Sequence, residues 1–495
     1  MGTFNGNAKG GAFSAATRST RKHTGAGLQI LFSLLLLADL FLLYTIIMQM
    51  THLQKAFEAS DTVNLVLLIA LAVGAVALIY AVIRTGAWKR ALCILLIFAV
   101  LYLAAVFSEI PIIKEYREIW ITTAMSTMRH QGLATYYFPS NIVEQRMEQL
   151  HEALDSQIGE NTPEGTFEAV QDNHEDWLPE IETDTRWAPA PEVVVELTPE
   201  QKDFYLLFYE LDVESTEAWL KTHPDALSNG YEHLLINETA IGGSGTTIRT
   251  KLGEKVLAID ADNQILILEV DCGGSRGVLA VAKLPSRLHL RASVNLPYHG
   301  DTVGTIAKKY HGVLAMTGSS FIDENAEGEA GKGNGGLVCG FAMCDGVKYE
   351  GDPFPWGYKR LELHDDGRFY IKDTFNAVGS GTTDAMEFSP AMVINGKKQD
   401  VGYWIDKNPR ACIGQSSRGE ILMLGVEGRG AGGSLGCSVA VCADVLLTHD
   451  CDTALNCDGG TTAMVWYRGE PIMRCSNSAI PNGRRLPNAW VYAAE

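Results

Sequence analysis

Three long apolar runs at the front of the chain constrain this molecule more than anything that follows. They are Leu28–Met50, Val63–Ile83 and Ala91–Phe107. A hydrocarbon core takes about 20 apolar residues, with about 17 as the minimum. A buried helix of a soluble protein shows a polar stripe, and the first two runs show almost none. All three predict spanning helices. The first run is too long for a signal-peptide core, and Gln49–His52 after it make a poor cleavage site, so it reads as uncleaved. Arg18, Arg21 and Lys22 precede the first run, and Arg84, Lys89 and Arg90 follow the second, while the first loop has only Lys55. The positive-inside rule places the tail and second loop in the cytoplasm and everything after about residue 108 outside. Asp39 lies inside the first run; a protonated carboxyl, or one paired with another span, is the reading preferred over a membrane sensor.

Residues 1–107 carry 8 basic and 3 acidic side chains. Since the whole chain has 40 and 59, the remainder holds 32 basic and 56 acidic groups, a net charge of −24. Such an acidic body excludes nucleic acid as a main partner, because phosphate neutralisation needs a positive face. Much of the acidity falls in Glu144–Glu200, where 16 acids face two arginines and several prolines; this predicts an acidic stalk, helical at its start. Gln201–Lys221 has helical apolar spacing and predicts a helix packed on an outer domain. The domain boundaries expected are a tail at 1–27, three transmembrane helices at 28–107, an interfacial segment and stalk at 108–230, and an outer domain at 231–495.

The outer domain reads as strands punctuated by glycine. Lys255–Ile259 with Gln264–Val270, Leu361–His364 with Arg368–Lys372, and Ala411–Gln415 with Ile421–Val426 predict hairpins. Ala391–Ile394 runs into Asn395–Gly396, a pair that tolerates positive φ. Thr302 or Asp301 caps a helix running to Tyr310, and Leu435–Leu447 predicts another. Strands mixed with helices predict an α/β or α+β class with a mixed sheet, not an all-β sandwich.

The stretch Thr453–Gly469 (TALNCDGGTTAMVWYRG) is the most informative. A strand ends in Asp458, and Gly459, Gly460, Thr461 and Thr462 follow. A carboxylate at a strand end is held rigidly, and two glycines let backbone N–H groups form a concave nest for an anion. By physics alone it reads equally as a tight turn with a capping aspartate.

The ordered motifs around this stretch resemble the phosphodiester glycosidase family over roughly Tyr231–Glu495. The family's Asn-x-Asp-Gly-Gly-Gly-Ser signature corresponds to Asn456–Thr462, with Thr461 and Thr462 replacing the last glycine and serine. RACIG at Arg410–Gly414 and VEGR at Val426–Arg429 correspond to two further motifs, and Arg484–Asn488 to the terminal Arg-x-x-x-Asn. The Asn-Gly-x-Phe-Phe motif is degraded to TGSSFI at Thr317–Ile322. The glycine-rich Gly331–Gly340 is similar to a loop of bacterial members, and Met125–Thr135 to a stretch of their membrane-anchored branch. The resemblance implies hydrolysis of the bond between a sugar's anomeric carbon and a phosphate in cell-surface or exopolysaccharide phosphodiesters; no cofactor is expected, and no residue is assigned to a metal. It implies Asp458 and Arg410 as catalytic residues, Arg484 (with Arg485 as its fallback) as a second phosphate clamp, Gly459–Thr462 as phosphate or hydroxyl binders, and Asn334 and Asn456 as substrate contacts. Each arginine reads otherwise as an ordinary ion pair. A non-catalytic module that binds or assembles envelope polysaccharides is the alternative function, supported by the degraded Thr317 motif.

Two signals are weaker. Gly300–His311 is similar to the opening of a LysM repeat, but an apolar strand follows at once, which favours a core-packing helix. Nine of the ten cysteines lie outside the apolar runs and read as reduced and buried, with disulfides plus free thiols as the other reading. Cys437 and Cys442 fall in one predicted helix, which constrains them against bridging. His449 near Cys442 and Cys451 reads as a loop histidine rather than a metal ligand.

Overall fold

The computed structural model describes residues 26–52, 59–126, 131–155, 197–324, 332–351, 358–402 and 404–494. The chain divides into two compact units, Met1–Arg117 and Glu118–Glu495. In the first, α1 (Ala26–His52), α2 (Ala59–Arg84) and α3 (Trp88–Phe107) are each long and apolar enough to cross a membrane. Asp39 of α1 lies against α2: a Cβ on Gly74 would sit 3.3 Å from Asp39 Oδ1. The basic tail and Lys55 lie outside the described residues.

Helix α4 (Pro111–Met125) leads into the second unit, followed by α5 (Gly132–Thr135) and α6 (Ser140–Asp155). Helix α6 is the helical start expected of the acidic stretch; its continuation at 156–196 lies outside the described residues. The single helix expected over Gln201–Lys221 is two, α7 (Pro199–Leu207) and α8 (Val213–Thr222). Asp212 starts the second by accepting a hydrogen bond from the Ser215 N–H at 2.8 Å, and capping of this kind overrides continuous apolar spacing.

Next come β1 (Leu235–Asn237), β2 (Lys255–Asp260), β3 (Ile265–Asp271), β4 (Arg276–Ala282), β5 (Leu288–Ala292), α9 (Val303–Lys309) and β6 (Gly312–Thr317). Then follow β7 (Phe341–Cys344), β8 (Val347–Glu350), β9 (Lys359–His364), β10 (Phe369–Asp373), β11 (Thr382–Phe388), β12 (Ala391–Ile394) and β13 (Lys397–Lys398). The chain ends with β14 (Arg410–Ser416), β15 (Ile421–Val426), α10 (Val439–Thr448), β16 (Cys451–Asn456), β17 (Val465–Tyr467), β18 (Glu470–Pro471) and β19 (Asn488–Ala493). One nine-stranded sheet runs β1-β2-β3-β4-β15-β14-β16-β12-β13, and two five-stranded sheets run β10-β9-β11-β7-β8 and β18-β17-β6-β19-β5. Every ladder among the described strands is antiparallel, so the expected class resolves to α+β with antiparallel sheets.

The large sheet is buried on both faces, following the two-residue period of a strand. Ile265, Ile267, Ala411 and Ile413 turn toward the two smaller sheets, packing with Leu361, Phe369, Met386 and Trp490. Leu266, Leu268, Cys412 and Leu424 turn the other way, under Phe204, Phe208 and Leu220 of the α7–α8 segment and Val439 and Leu446 of α10. Between α7 and α8, Glu210 pairs with the buried Lys283 ammonium, which also meets Glu420 at 2.8 Å. The LysM-like segment is α9, capped by Thr302, with Val303, Ile306 and Ala307 buried in the core.

The expected hairpins form in place: β2 pairs β3, β9 pairs β10, and β14 pairs β15. Asn395 and Gly396 turn β12 into β13 with φ of 50° and 67°. The helix expected from Leu435 begins later. Gly436 has φ +95°, outside the helical region, and a Cβ there would meet the Asn408 backbone at 2.4 Å. Leu435 is exposed and Ser438 is the cap, so Cys437 precedes α10 instead of lying within it.

Candidate functional site

The loop ends of β6, β14, β15 and β16 converge with the segment before β19. Asp458 follows β16, its backbone N–H held by the Gly318 carbonyl at 3.3 Å. Its carboxylate accepts from the Gly459 N–H at 2.9 Å. Burial pushes this carboxyl up to about 7, aided by the nearby Asp323 charge and opposed by the Thr462 hydroxyl, Arg484 and the Gly459 N–H. A half-buried carboxyl that titrates near neutrality is matched to proton transfer at ordinary pH.

The turn after it is a single 3-10 turn, Gly460–Thr462. Gly460 has φ +66°, and its N–H bonds the Pro409 carbonyl at 2.9 Å. A Cβ at Gly460 would lie 2.9 Å from the Arg429 guanidinium. Glycine there serves two ends, the left-handed backbone and the close approach of a cation. Gly460→Ala is expected to cost about 1–3 kcal/mol and to displace Arg429, read as a lower Tm together with weaker phosphate binding by calorimetry. Thr317, at the end of β6, supports the turn from beneath: its hydroxyl donates to the Thr462 carbonyl at 2.6 Å and accepts from the Met464 N–H at 3.0 Å.

The arginines divide by role. Arg429, at φ +55° just beyond β15, is exposed and lies over the turn. It donates to Thr461 Oγ1 at 3.3 Å and, through Nε and Nη2, to Asn408 Oδ1 at 3.2 and 3.1 Å. Arg410, on β14, is buried beneath it. Its guanidinium donates to Asp406 Oδ2 at 2.6 Å and to the Asp406 and Cys437 carbonyls at 3.0 and 3.1 Å. Asn408 links the layers by donating to Asp406 at 2.7 Å, and it donates also to Ser126 Oγ at 2.8 Å, just past α4. The Lys407 N–H donates to Thr123 of α4 at 3.1 Å.

Arg484 makes a forked ion pair with Asp323, 3.0 Å on one arm, and donates to the Gly333 carbonyl at 2.9 Å. Its charge and that of Arg429 both act on Asp458. Of the residues singled out in the sequence, Asp458, Gly459, Gly460, Thr461, Thr462 and Arg484 therefore come together. Arg410 lies below them, spent on Asp406. Arg485 is exposed, and its carbonyl packs against Gly335. Asn334 braces its own loop, donating to the Tyr298 carbonyl at 2.8 Å and accepting from the Gly336 N–H at 2.9 Å. Asn456 is buried in the sheet, donating to the Ser389 carbonyl at 2.9 Å. His449 meets Glu254 at 2.9 Å. Arg429 was quoted within the VEGR motif but given no role, and Asp323 was not singled out. The motif was the available signal for the first; nothing marked Asp323 except its place just after TGSSFI.

Residues 310–493 match the family model described as phosphodiester glycosidase. They form a domain of the phosphodiester glycosidase family. That span holds β6 to β19 and the residues above except Thr123, Ser126, Glu254 and Tyr298. A curated relative, the SPbeta prophage-derived uncharacterized protein YomE of Bacillus subtilis (strain 168), is 27% identical over 190 residues. The match takes in 36% of this chain and spans only 28% of that protein's length. Among solved structures, the zebrafish N-acetylglucosamine-1-phosphodiester alpha-N-acetylglucosaminidase catalytic domain, auto-inhibited by its pro-peptide, is 15% identical. It aligns with a TM-score of 0.38 over 47% of this chain and 82% of its own. A hypothetical protein from Synechocystis is 14% identical, with a TM-score of 0.32 over 48% of this chain and 63% of its own.

Proposed function

We propose that the chain is a membrane-anchored hydrolase of sugar phosphodiesters, breaking the bond between the anomeric carbon and the phosphate oxygen. The observation that carries this reading is the Asp458 carboxyl, raised to about 7 and acted on by the charges of both Arg429 and Arg484. An anionic phosphodiester needs a cation at its phosphate and a carboxylate at its sugar carbon. Arg429, with the Thr461 hydroxyl beside it, takes the phosphate, since the Gly459, Gly460 and Thr462 N–H groups expected to form a nest are bonded within the protein; a guanidinium fork matches its oxygens. Ionised Asp458 takes a proton from water as the water oxygen bonds to the anomeric carbon, or supports positive charge developing there. The C–O bond breaks with its electrons passing to phosphate, already a good leaving group. The products are a free sugar and a phosphomonoester. Arg410, through Asp406 and Asn408, sets the height of Arg429.

Release of reducing sugar from a model sugar-1-phosphodiester by the full chain in detergent tests the reading. Turnover by the wild type that disappears in Asp458→Asn supports it; equal rates in both remove Asp458 from the chemistry. One observation favours the binding or assembly alternative: the Thr317 hydroxyl and the Arg484 fork are both engaged within the protein. Saturable binding of a phosphate-bearing glycan without any product selects that alternative.

We read the three apolar helices as crossing the membrane in series with the family domain outside; their length and apolar composition and the arginines and lysines that flank them support this reading. A membrane-impermeant thiol reagent applied to intact cells is expected to label a cysteine added after Glu495. Labelling only after lysis reverses the orientation.

A further inference from the structure

Behind the candidate site lies a row of buried thiols that the chemistry above does not use. Cys437 Sγ and Cys442 Sγ are 3.3 Å apart. Cys272 lies beside Cys437 and Cys412 beside Cys442, and the Cys412 thiol donates to Asn456 Oδ1 at 3.6 Å. All four are free thiols with no exposed surface. Two unbonded sulfur atoms do not ordinarily approach so closely, and a disulfide needs them at about 2.05 Å. Placing both cysteines in one rigid helix would have held them apart. With Ser438 as the cap of α10, Cys437 instead sits on the non-helical approach, free to turn its side chain onto Cys442 in the first turn.

We propose that Cys437 and Cys442 are a disulfide-forming pair that staples the approach loop to the first turn of α10. Two features select this pair over the other neighbours. Cys437 stands at the positive end of a ten-residue helix, where a thiolate is favoured. Its thiol is pushed well below the ordinary value by the hydrogen bonds from Cys272 and Cys442 and by the Arg410 and Lys407 charges, while Cys442 and Cys272 are pushed up. Cys437 is thus the attacking sulfur. Because the sulfur has no exposed surface, a local opening of the approach loop must come first; the thiolate then attacks one sulfur of a small-molecule disulfide and expels the other as a thiolate. Cys442 then loses its proton and attacks the Cys437 sulfur, expelling the second thiolate. One disulfide forms in this chain, and the external one is reduced to two thiols. The staple would not be remote from the site. The Cys437 carbonyl accepts from Arg410 Nε at 3.1 Å, and its backbone bridges Asn408, which holds Arg429.

The full chain in detergent is treated with diamide or with dithiothreitol, denatured, alkylated and weighed. The oxidised sample is expected to take up two fewer alkyl groups than the reduced one. Elastase, cutting at Val439 and Ala440, is expected to leave the two flanking fragments joined until reductant is added. Cys442→Ser abolishes the difference, and Cys451→Ser preserves it. Equal alkylation after diamide, or a bridge mapped to Cys272–Cys437 or Cys412–Cys442, overturns the proposal. The mapping is done on wild-type protein, so it decides the matter even if Cys442→Ser fails to fold. It also stands whether or not Asp458 proves catalytic.

Discussion

Asp458→Asn is expected to lower turnover of a sugar-1-phosphodiester by about 10³-fold and, at pH 8, to raise the melting temperature. The two effects have one cause. The folded carboxyl titrates at about 7, and the ordinary value is 3.8. Between those values the folded protein holds a proton that the unfolded chain has released. Wild-type stability therefore falls as pH rises from about 4 through 7 and stays low above it. Asparagine cannot ionise and removes that slope. The gain above pH 7 is on the order of 2 kcal/mol for a half-buried group, or a few degrees in Tm. Below about pH 4 the two proteins should melt alike. Differential scanning fluorimetry from pH 4 to 9 reads this directly. A variant no more stable than wild type at pH 8 would mean that Asp458 is already solvated and ionised, and unsuited to the role given it. Activity of the wild type should rise with an inflection near pH 7.

Exchanging the two central arginines one at a time should give opposite outcomes. Arg429→Ala is expected to lose about 10²–10³ in kcat/KM with little change in Tm, because an exposed side chain leaves only the neutral Asn408 and Thr461 without a donor. Arg410→Ala is expected to cost about 3–5 kcal/mol of stability, because it strands the Asp406 carboxylate with no cation in a buried setting. Its loss of activity should track loss of folded protein. Steady-state kinetics beside thermal melts of both variants checks the pair. Stable, inactive Arg410→Ala together with fully active Arg429→Ala would restore Arg410 as the phosphate clamp.

That contrast shows where legibility in the sequence ended. The hairpins were readable because their turns carry their own chemistry; Asn395–Gly396 can do little else. The Asp458 turn was readable for the same reason, two glycines after a strand. The choice between Arg410 and Arg429 was not local. Arg410 turns inward because Asp406, four residues before it, supplies a buried partner, and Arg429 turns outward because Gly460 leaves room across a turn 31 residues away. Asp323 belongs to the same class: only the folded chain brings it to Arg484. The late start of α10 also came from tertiary packing, the press of Asn408 backbone on Gly436.

The bond from Asn408 to Ser126 bears on how the chain can be dissected. Cutting in the acidic stretch at 156–196 would release the three sheets intact, with residues 310–493 undisturbed. Such a fragment would nevertheless leave behind the hydroxyl that receives Asn408 and the threonine that receives the Lys407 N–H. The outer edge of the Arg429 support would then be open to water. A fragment beginning at Glu118 keeps that edge closed, and the difference between the two fragments measures how much the segment following the apolar helices contributes to the shape of the site.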